Sequence, residues 1–329
     1  MLVTILGGGG FLGQKVAAQL AATGMVGRRS ITGLTLFDLN TPKAPAGAAF
    51  PVRCLSGDLS DATALEAALP KGTAVVIHLA AVVSAAAEAD LALGLRVNLL
   101  GTLAVLAACQ KVGGAPRVVF TSSVASFGGG QSALLEDDAR QLPGNSYGAQ
   151  KAMGELLLQD ASRRGLIDAV SIRLPTVIVR PGRPNKAASS FVSAILREPL
   201  LGLPTTCPVG DDFGVWICSP RRAVEWLLFA AAMDTAPLGL DRGINPPGRR
   251  VTVGEMLAGL ETVAGPKARA LVTAAPDATV QAIVGGWPAE FTATRARGLG
   301  FSEQEDVESL LRAFIADDLE ATRADREAA

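Results

Sequence analysis

Short apolar runs alternate with longer helical patterns through the first half of the chain. The runs are rich in Val, Ile and Leu and short enough for buried strands, at residues 2–6, 34–37, 52–55, 75–79, 118–120 and 170–174. Helical patterns lie between several of them, at residues 11–22, 61–69, 91–111 and 147–164. This alternation predicts βαβ units, and hence an α/β fold built on a doubly wound parallel sheet with helices on both faces.

The pattern changes after Leu174. A loop rich in proline and glycine, residues 180–186, is followed by short mixed elements and further loop signals. We therefore predict a main domain over residues 1–174. Residues 175–329 are predicted to form mainly a smaller α/β substrate-binding region, from which some segments return to the sheet. The charged tail from Asp317 is expected to fray.

The composition argues against several classes of partner. The formal net charge is −1 and only 19% of residues are charged, so the chain has no basic field for nucleic acid or an acidic membrane surface. The most apolar long window, residues 74–95, is interrupted by His78, Glu88 and Asp90, which argues against a membrane span. No positive region precedes the first apolar run, so no signal peptide is expected. We expect a soluble, cytoplasmic protein.

Metal and thiol chemistry are also disfavoured. The four cysteines are widely spread, and the single histidine, His78, excludes a multi-histidine metal site. We expect buried free thiols in a reducing compartment and no metal site. His78 itself is expected to hydrogen-bond neighbouring backbone at the edge of the core.

A run of glycines joins the first predicted strand to the first predicted helix. Two frames fit, one with Gly8, Gly10 and Gly13 and one with Gly7, Gly10 and Gly13. Either frame permits a tight turn that seats a pyrophosphate at the helix N-terminus. Asp38 ends the second strand 25 residues after Gly13, near the offset of about 20 expected for an acid that bonds a ribose 2′-OH. Because a carboxylate there repels the extra phosphate of NADP, we predict NAD; a turn or cap role is the alternative.

The only tyrosine of the chain, Tyr147, lies four residues before Lys151. On a helix the two side chains share one face. A lysine ammonium and the positive nicotinamide ring are expected to lower the phenol pKa from its usual value of about 10. Tyr147 would then accept the proton of a substrate hydroxyl. The spacing by itself leaves a chance pairing open.

Taken in order, several motifs resemble the extended short-chain dehydrogenase/reductase family, which includes NAD-dependent epimerases and dehydratases. The motifs are "GGGGFLG" from Gly7, the acid Asp38, "GDLSD" from Gly57, "HLAA" from His78, "VNLLGT" from Val97, "FTSSVASFGG" from Phe120 and "SYGAQK" from Ser146. They cover roughly the first half of the chain. The resemblance implies a Rossmann fold, NAD as cofactor, and Ser123, Tyr147 and Lys151 as the catalytic set.

The resemblance also implies which residues bind the cofactor. They are Gly7, Gly10, Phe11, Leu12, Gly13, Asp38, Asp58, Leu59, Leu79, Ala80, Ala81, Asn98, Tyr147, Lys151 and Pro175. Asn98 is as readily a packing or backbone-bonding residue as part of a water relay to the lysine. Asp61 is read as the cap of the next helix. Ser122 faces the other side of its strand and is expected to be structural.

The segments after the catalytic serine bear on the substrate. Residues 124–126 carry no acid, unlike the dehydratases of the family, and residues 174–176 lack the tyrosine segment of nucleotide-sugar epimerases. Together with residues 207–209, 216–224 and 251–257, this pattern resembles the D-erythronate dehydrogenases. The resemblance implies oxidation of D-erythronate at C2 to the 2-oxo acid with NAD. A nucleotide-sugar 4-epimerase with tightly bound NAD and a non-catalytic dinucleotide-binding protein are the alternatives.

A hydroxy acid needs a cation for its carboxylate, preferably a guanidinium. Arg180 and Arg183, with Lys186 beside them, lie in the loop after the sixth strand, and further candidates are Arg173, Arg197, Arg221 and Arg222. The predicted substrate-binding residues are Ser123, Tyr147, Thr176, Arg180, Arg183 and Ser189. Ser189 and Ser190 serve equally well as caps of the following helix.

The resemblance further implies a homodimer. Family members commonly pair through two helices of the nucleotide domain, which here would be residues 91–111 and 147–164. Their alanine- and leucine-rich faces permit this contact, although a role in the core explains the same residues.

Overall fold

A parallel sheet of seven strands forms the centre of the molecule. The structure is a computed structural model that describes residues 1–131, 134–182 and 190–327, apart from the side chain at position 283. In chain order the strands are β1 (Leu2–Leu6), β2 (Gly33–Asp38), β3 (Val52–Ser56), β4 (Thr73–His78), β5 (Arg117–Ser123), β6 (Asp168–Leu174) and β7 (Gly243–Ile244). Across the sheet they run β3-β2-β1-β4-β5-β6-β7, all parallel. This confirms the doubly wound Rossmann fold, whose strand order reverses between β1 and β4.

Successive residues of the central strands face opposite layers. In β4, Val75 and Ile77 pack into one cluster of buried residues and Val76 into the other. In β5, Val119 belongs to the first cluster, whereas Phe120 belongs to the second. Because both faces of the sheet are covered, the central strands read as nearly continuous apolar runs. This is why all six strands predicted from the sequence are confirmed.

Helices cover both faces of this sheet. They are Phe11–Thr23, Ala62–Ala68, Ser84–Ala89, Leu91–Gly94, Gly101–Val112, Ser146–Arg163 and Pro220–Ala232, with a π-helical stretch at Leu95–Leu100. The Asp61 side chain accepts hydrogen bonds from the N–H groups of Thr63 and Ala64, so its predicted capping role is confirmed.

The chain after β6 builds a second apolar cluster of its own. Its helices are Ser190–Leu200, Val253–Arg269, Ala278–Val284, Thr294–Gly298, Val307–Asp317 and Leu319–Glu327, and its largest sheet joins Thr176–Val177, Gly214–Cys218 and Arg249–Thr252. Shorter strand pairs join Thr205–Cys207 to Val272–Ala274, Leu134–Leu135 to Glu290–Phe291, and Met25–Val26 to Arg29–Ser30. Two later segments, however, return to the main sheet. Helix Pro220–Ala232 packs against it, and β7 forms its edge strand. The division at residue 174 stays a prediction.

The charged tail does not fray as expected from its sequence. Leu319–Glu327 is helical, and Arg326 forms an ion pair of 2.7 Å with Glu198, which is only 4% exposed. The prediction was wrong because a charged side chain with a buried partner holds its helix in place.

One described segment, Leu91–Val112, is long and apolar enough to cross a membrane, with a mean hydropathy of 1.8. Length and composition alone are weak evidence, since core helices share them. Val105, Cys109 and Val112 of this segment pack into the core beneath the sheet.

Candidate active site

The glycine turn after β1 leaves no room for side chains at two positions. Gly7 has a φ of +88°, and a Cβ on it would lie 2.6 Å from the backbone nitrogen of Ala80. A Cβ on Gly13 would lie 2.2 Å from the carbonyl oxygen of Gly7. The turn is therefore pressed between the end of β4 and the start of the first helix.

This turn fits a dinucleotide phosphate. Gly7, Gly10 and Gly13 all line a cavity, whereas Gly8 does not, which favours the frame of Gly7, Gly10 and Gly13. Side chains at the two crowded positions would fill the cradle between strand and helix. The helix N-terminus beyond the turn is also where an anion is stabilised.

Asp38 hydrogen-bonds the backbone of the glycine turn. Its Oδ2 accepts a hydrogen bond of 2.9 Å from the N–H of Gly9, and its Oδ1 accepts one of 2.8 Å from the N–H of Leu39. The turn-bonding role left open by the sequence is thus present. Asp38 lies outside the cavity lining, and its contact with a ribose stays a prediction.

Four further residues predicted to bind the cofactor also lie outside the cavity lining, namely Asp58, Leu59, Ala80 and Asn98. Asp58 accepts hydrogen bonds from Ser60 and forms an ion pair of 2.8 Å with Arg96. The Ser60 hydrogen bonds hold the pKa of Asp58 below its ordinary value. Leu59 is buried in the core, and the N–H of Ala80 donates to the carbonyl of Leu6 at 2.9 Å.

Asn98 lies in the π-helical stretch and holds the backbone that follows β4. Its Oδ1 accepts from the N–H of Val82 at 2.8 Å, and its Nδ2 donates to the carbonyl of Val82 at 3.0 Å and to Gln150 Oε1 at 2.7 Å. Of the readings that the sequence left open, these contacts support the backbone-bonding one. A cofactor role for Asn98 stays a prediction.

A cavity of about 340 Å³ runs from the glycine turn to the region after β6. The predicted residues that line it are Gly7, Gly10, Phe11, Leu12, Gly13, Leu79, Ala81, Ser123, Tyr147, Lys151, Pro175, Thr176 and Arg180. Apolar residues that the sequence did not suggest complete its far wall, among them Val215, Trp216 and Trp287. Arg183 and Ser189, like Lys186, lie outside the described residues.

Helix Ser146–Arg163 places Tyr147 and Lys151 at this cavity. The side chain of Asn145 caps the helix by accepting from the N–H of Gly148 at 2.8 Å. A Cβ on Gly148 would lie only 1.9 Å from the carbonyl oxygen of Ala125, so the first turn rests directly on the segment after β5. This contact brings Tyr147 beside Ser123.

The electrostatics of Tyr147 differ from the sequence-based expectation. Burial raises the pKa of Tyr147 to about 12 instead of lowering it, although the charge of Arg180 and a hydrogen bond with Ser123 oppose the rise. Lys151 Nζ lies 5.6 Å from the centre of the Tyr147 ring and donates to the carbonyl of Thr121 at 2.7 Å. Among the protein's own charged groups, the cation that acts most on the phenol is therefore Arg180.

Lys151 is almost fully buried, with 2% of its surface exposed. Burial lowers the pKa of Lys151 to about 7, and the negative charge of Glu155 acts in the opposite direction. Glu155 lies one helical turn further along the same helix. An acid is thus needed to keep the ammonium charged near neutral pH.

A buried ion pair close to Ser123 and Lys151 was missed from the sequence. Arg173 Nη2 lies 2.8 Å from Glu155 Oε2, and the same carboxylate accepts from Ser122 and from Gln141. These contacts join the ends of β5 and β6 to the helix of Tyr147, and they give Ser122 the structural role expected of it. The spacing of Glu155 four residues after Lys151 could have placed it on the same helix face.

The arginine candidates for a substrate carboxylate differ in whether they already pair with an acid. Arg173, Arg197, Arg221 and Arg222 each pair with an acid, namely Glu155, Glu198, Asp317 and Glu225 respectively. Arg180 lines the cavity and has no acidic partner among the described residues. Among the arginine candidates that lie in the described ranges, Arg180 is therefore the one that remains available to a ligand.

His78 is buried and neutral. Its Nε2 lies 3.2 Å from Thr102 Oγ1, so it bonds a side chain and not the backbone as expected. Burial lowers the pKa of His78 to about 3, with a further contribution from the charge of Lys151. Within the described ranges, no group of three or more His, Cys, Asp or Glu residues could hold a metal ion.

The chain belongs to the NAD dependent epimerase/dehydratase family, whose model matches residues 3–212. It is an NAD-dependent dehydrogenase of the short-chain dehydrogenase/reductase type. Within the family it is similar to two proteins named D-erythronate dehydrogenase. The protein from Cupriavidus necator is 46% identical over 96% of this chain and 98% of its own length. The protein from Haemophilus influenzae is 40% identical over 97% and 100%.

A solved structure is also similar over nearly the whole chain. It is that of the nucleoside-diphosphate-sugar epimerase from Agrobacterium tumefaciens, with a TM-score of 0.93 and 41% identity. The match covers 97% of this chain and 95% of that one.

We expect Gly13→Ala to weaken NAD binding by more than about tenfold, because the new methyl group forces the helix away from the phosphate turn. Isothermal titration with NAD measures the change. Gly298→Ala is the matched control, since a Cβ there meets no atom within 4 Å. Equal NAD affinity for both variants would contradict the fit of this turn to a dinucleotide.

Proposed function

We propose that this protein oxidises a small sugar acid, D-erythronate, at C2 to the 2-oxo acid with NAD. The observation that carries the proposal is the placement of Arg180, which has no acidic partner among the described residues, in one cavity with Ser123 and Tyr147. Similarity to two proteins named D-erythronate dehydrogenase supports the choice of acid.

The charge around Arg180 favours an anionic substrate. Burial lowers the pKa of Arg180, and so does the positive charge of Arg197. A substrate carboxylate would relieve both effects, because it offers the guanidinium two acceptor oxygens in a matching geometry. Thr176 and the far apolar wall would then contact the rest of the small acid.

Each catalytic side chain has one task in this proposal. Ser123 hydrogen-bonds the C2 hydroxyl and holds it next to the phenol. Tyr147, as phenolate, accepts the hydroxyl proton at its Oη. Lys151 supplies a buried positive charge on the same helix face. When bound, NAD accepts the hydride that leaves C2.

A nucleotide-sugar 4-epimerase with retained NAD is the second candidate. The name of the solved structure, at 41% identity, favours it. Arginines attract a diphosphate as well as a carboxylate, so charge alone does not separate the two functions. The reaction does, because epimerisation produces no net NADH.

We expect NADH absorbance to rise steadily when the protein is mixed with NAD and D-erythronate, tested within a panel of four-carbon hydroxy acids and with NADP in parallel. Tyr147→Phe should lower kcat by about 10²- to 10⁴-fold, because the general base is lost. NAD affinity, measured by titration, is the control for an intact fold. Interconversion of a UDP-sugar without NADH would indicate the epimerase instead. A non-catalytic binding protein would show no turnover, and its NAD affinity would be unchanged in Tyr147→Phe.

We expect the oxidation rate to rise with pH between 6 and 9. Burial raises the pKa of Tyr147 to about 12, so below that value each added pH unit yields about tenfold more phenolate. Because Arg180 lowers this pKa, Arg180→Met should move the rising limb to higher pH. Arg221→Met, which removes an exposed ion pair with Asp317, should leave the limb in place.

The measurement is kcat against pH, with deuterium at C2 to show that hydride transfer limits the rate. A flat profile with a full isotope effect would argue against Tyr147 as the base.

We propose a homodimer in the cytoplasm. Large apolar side chains are exposed on the two helical segments expected to pair, at Leu91, Leu100, Leu103, Met153 and Leu156. An exposed apolar stripe of this kind is typical of a protein interface. The four cysteines are free, which is consistent with a reducing compartment.

We expect Leu156→Lys to convert the dimer to a monomer, because a charge would be buried at the centre of the paired helices. Leu156 is 61% exposed in the single chain. Leu240→Lys is the control, since Leu240 is 64% exposed and lies on neither helix. Sedimentation velocity reports the mass, and a wild-type monomer at micromolar concentration would refute the assembly.

A further inference from the structure

The backbone that carries Arg180 is held by two other arginines. Arg197 Nη1 donates to the carbonyl oxygen of Arg180 at 2.8 Å, and Arg326 Nη2 donates to the carbonyl oxygen of Gly182 at 2.9 Å. The N–H of Arg180 donates to Ser193 Oγ at 3.2 Å. Both polar backbone groups of Arg180 are thus bound, and the backbone two residues later is bound from the last helix.

A single buried carboxylate joins the two arginines. Glu198 accepts from Arg197 Nε at 2.8 Å and from Arg326 Nη1 and Nη2 at 2.7 Å each. Glu198 is 4% exposed and Arg197 is 2% exposed. Because a buried charge without its partner is strongly unfavourable, Glu198 fixes the positions of both guanidinium groups.

The charges of this cluster do not cancel. Arg180, Arg197 and Arg326 bring three positive charges to one carboxylate, and the sequence from 180 to 189 contains no acid. The positive charge of Arg197 lowers the pKa of Arg180. A carboxylate bound at Arg180 would reduce this excess of positive charge.

We propose that Arg326, in the last helix of the chain, is a positioning residue for Arg180. By binding Glu198 and the carbonyl of Gly182, it sets where the Arg180 guanidinium stands and so controls the affinity for the substrate carboxylate. This inference rests on the proposed function, in which Arg180 binds that carboxylate. The C-terminal helix then belongs to the substrate-binding machinery, although it lies far from the catalytic residues in sequence.

The test compares two arginines of the same helix. Arg326→Ala should raise KM for D-erythronate by about tenfold, the effect of one misplaced charged hydrogen bond, while kcat falls less. Arg326→Lys keeps the charge but has a different donor geometry. Its KM should lie between those of Arg326→Ala and the wild type. Arg323→Ala is the control, because Glu320, which is exposed, is the one acid that Arg323 pairs with among the described residues. Equal KM values for Arg326→Ala and Arg323→Ala would overturn the proposal.

A second measurement separates this inference from the proposed function. Hydrogen–deuterium exchange of peptides covering residues 178–182 should quicken in Arg326→Ala and not in Arg323→Ala, whether or not the acid is a substrate. If wild-type protein oxidises no hydroxy acid, the proposed function fails, but the exchange measurement still tests whether Arg326 holds the backbone around Arg180. Unchanged exchange in Arg326→Ala would refute this positioning role, provided that the melting temperature shows the variant to be folded.

Discussion

The contact on which the site depends is the close approach of helix Ser146–Arg163 to β5. At Gly148 a Cβ would lie 1.9 Å from the carbonyl of Ala125, and at Gly154 it would lie 3.0 Å from the ring of Phe120. Side chains at these two glycines would lift the helix from the sheet and carry Tyr147 away from Ser123. Backbone packing, more than any hydrogen bond, therefore sets the position of Tyr147 relative to Ser123.

This packing has an electrostatic cost. The same burial raises the pKa of Tyr147 to about 12 and lowers the pKa of Lys151 to about 7, so both residues are pushed towards their neutral forms. Two nearby charges oppose these shifts. Arg180 favours the phenolate of Tyr147, and Glu155 favours the ammonium of Lys151. The charge states of Tyr147 and Lys151 thus depend on two charged residues that the spacing of tyrosine and lysine does not reveal.

Much of the fold, and the meeting of Ser123, Tyr147 and Lys151 at one cavity, could be predicted from the sequence. Buried parallel strands appear as unbroken apolar runs, and the glycine turn lies between two adjacent elements. The pairs Glu155–Arg173 and Glu198–Arg326 could not be predicted, because burial of these charges follows from partners distant in the chain. For the same reason the rise of the Tyr147 pKa by burial, which follows from desolvation in the folded cleft, could not be predicted from the spacing of Tyr147 and Lys151.

The return of the chain to the main sheet limits how its parts can be exchanged. β7 pairs with β6, and Gly243 leaves room for the Arg173 guanidinium, since a Cβ there would lie 2.2 Å from Nη2. A chimera joined at residue 175 would replace a strand and a covering helix of the nucleotide domain along with the substrate region. Grafting specificity between relatives therefore requires that residues 220–244 stay with the host sheet, while only the segments on either side are transplanted.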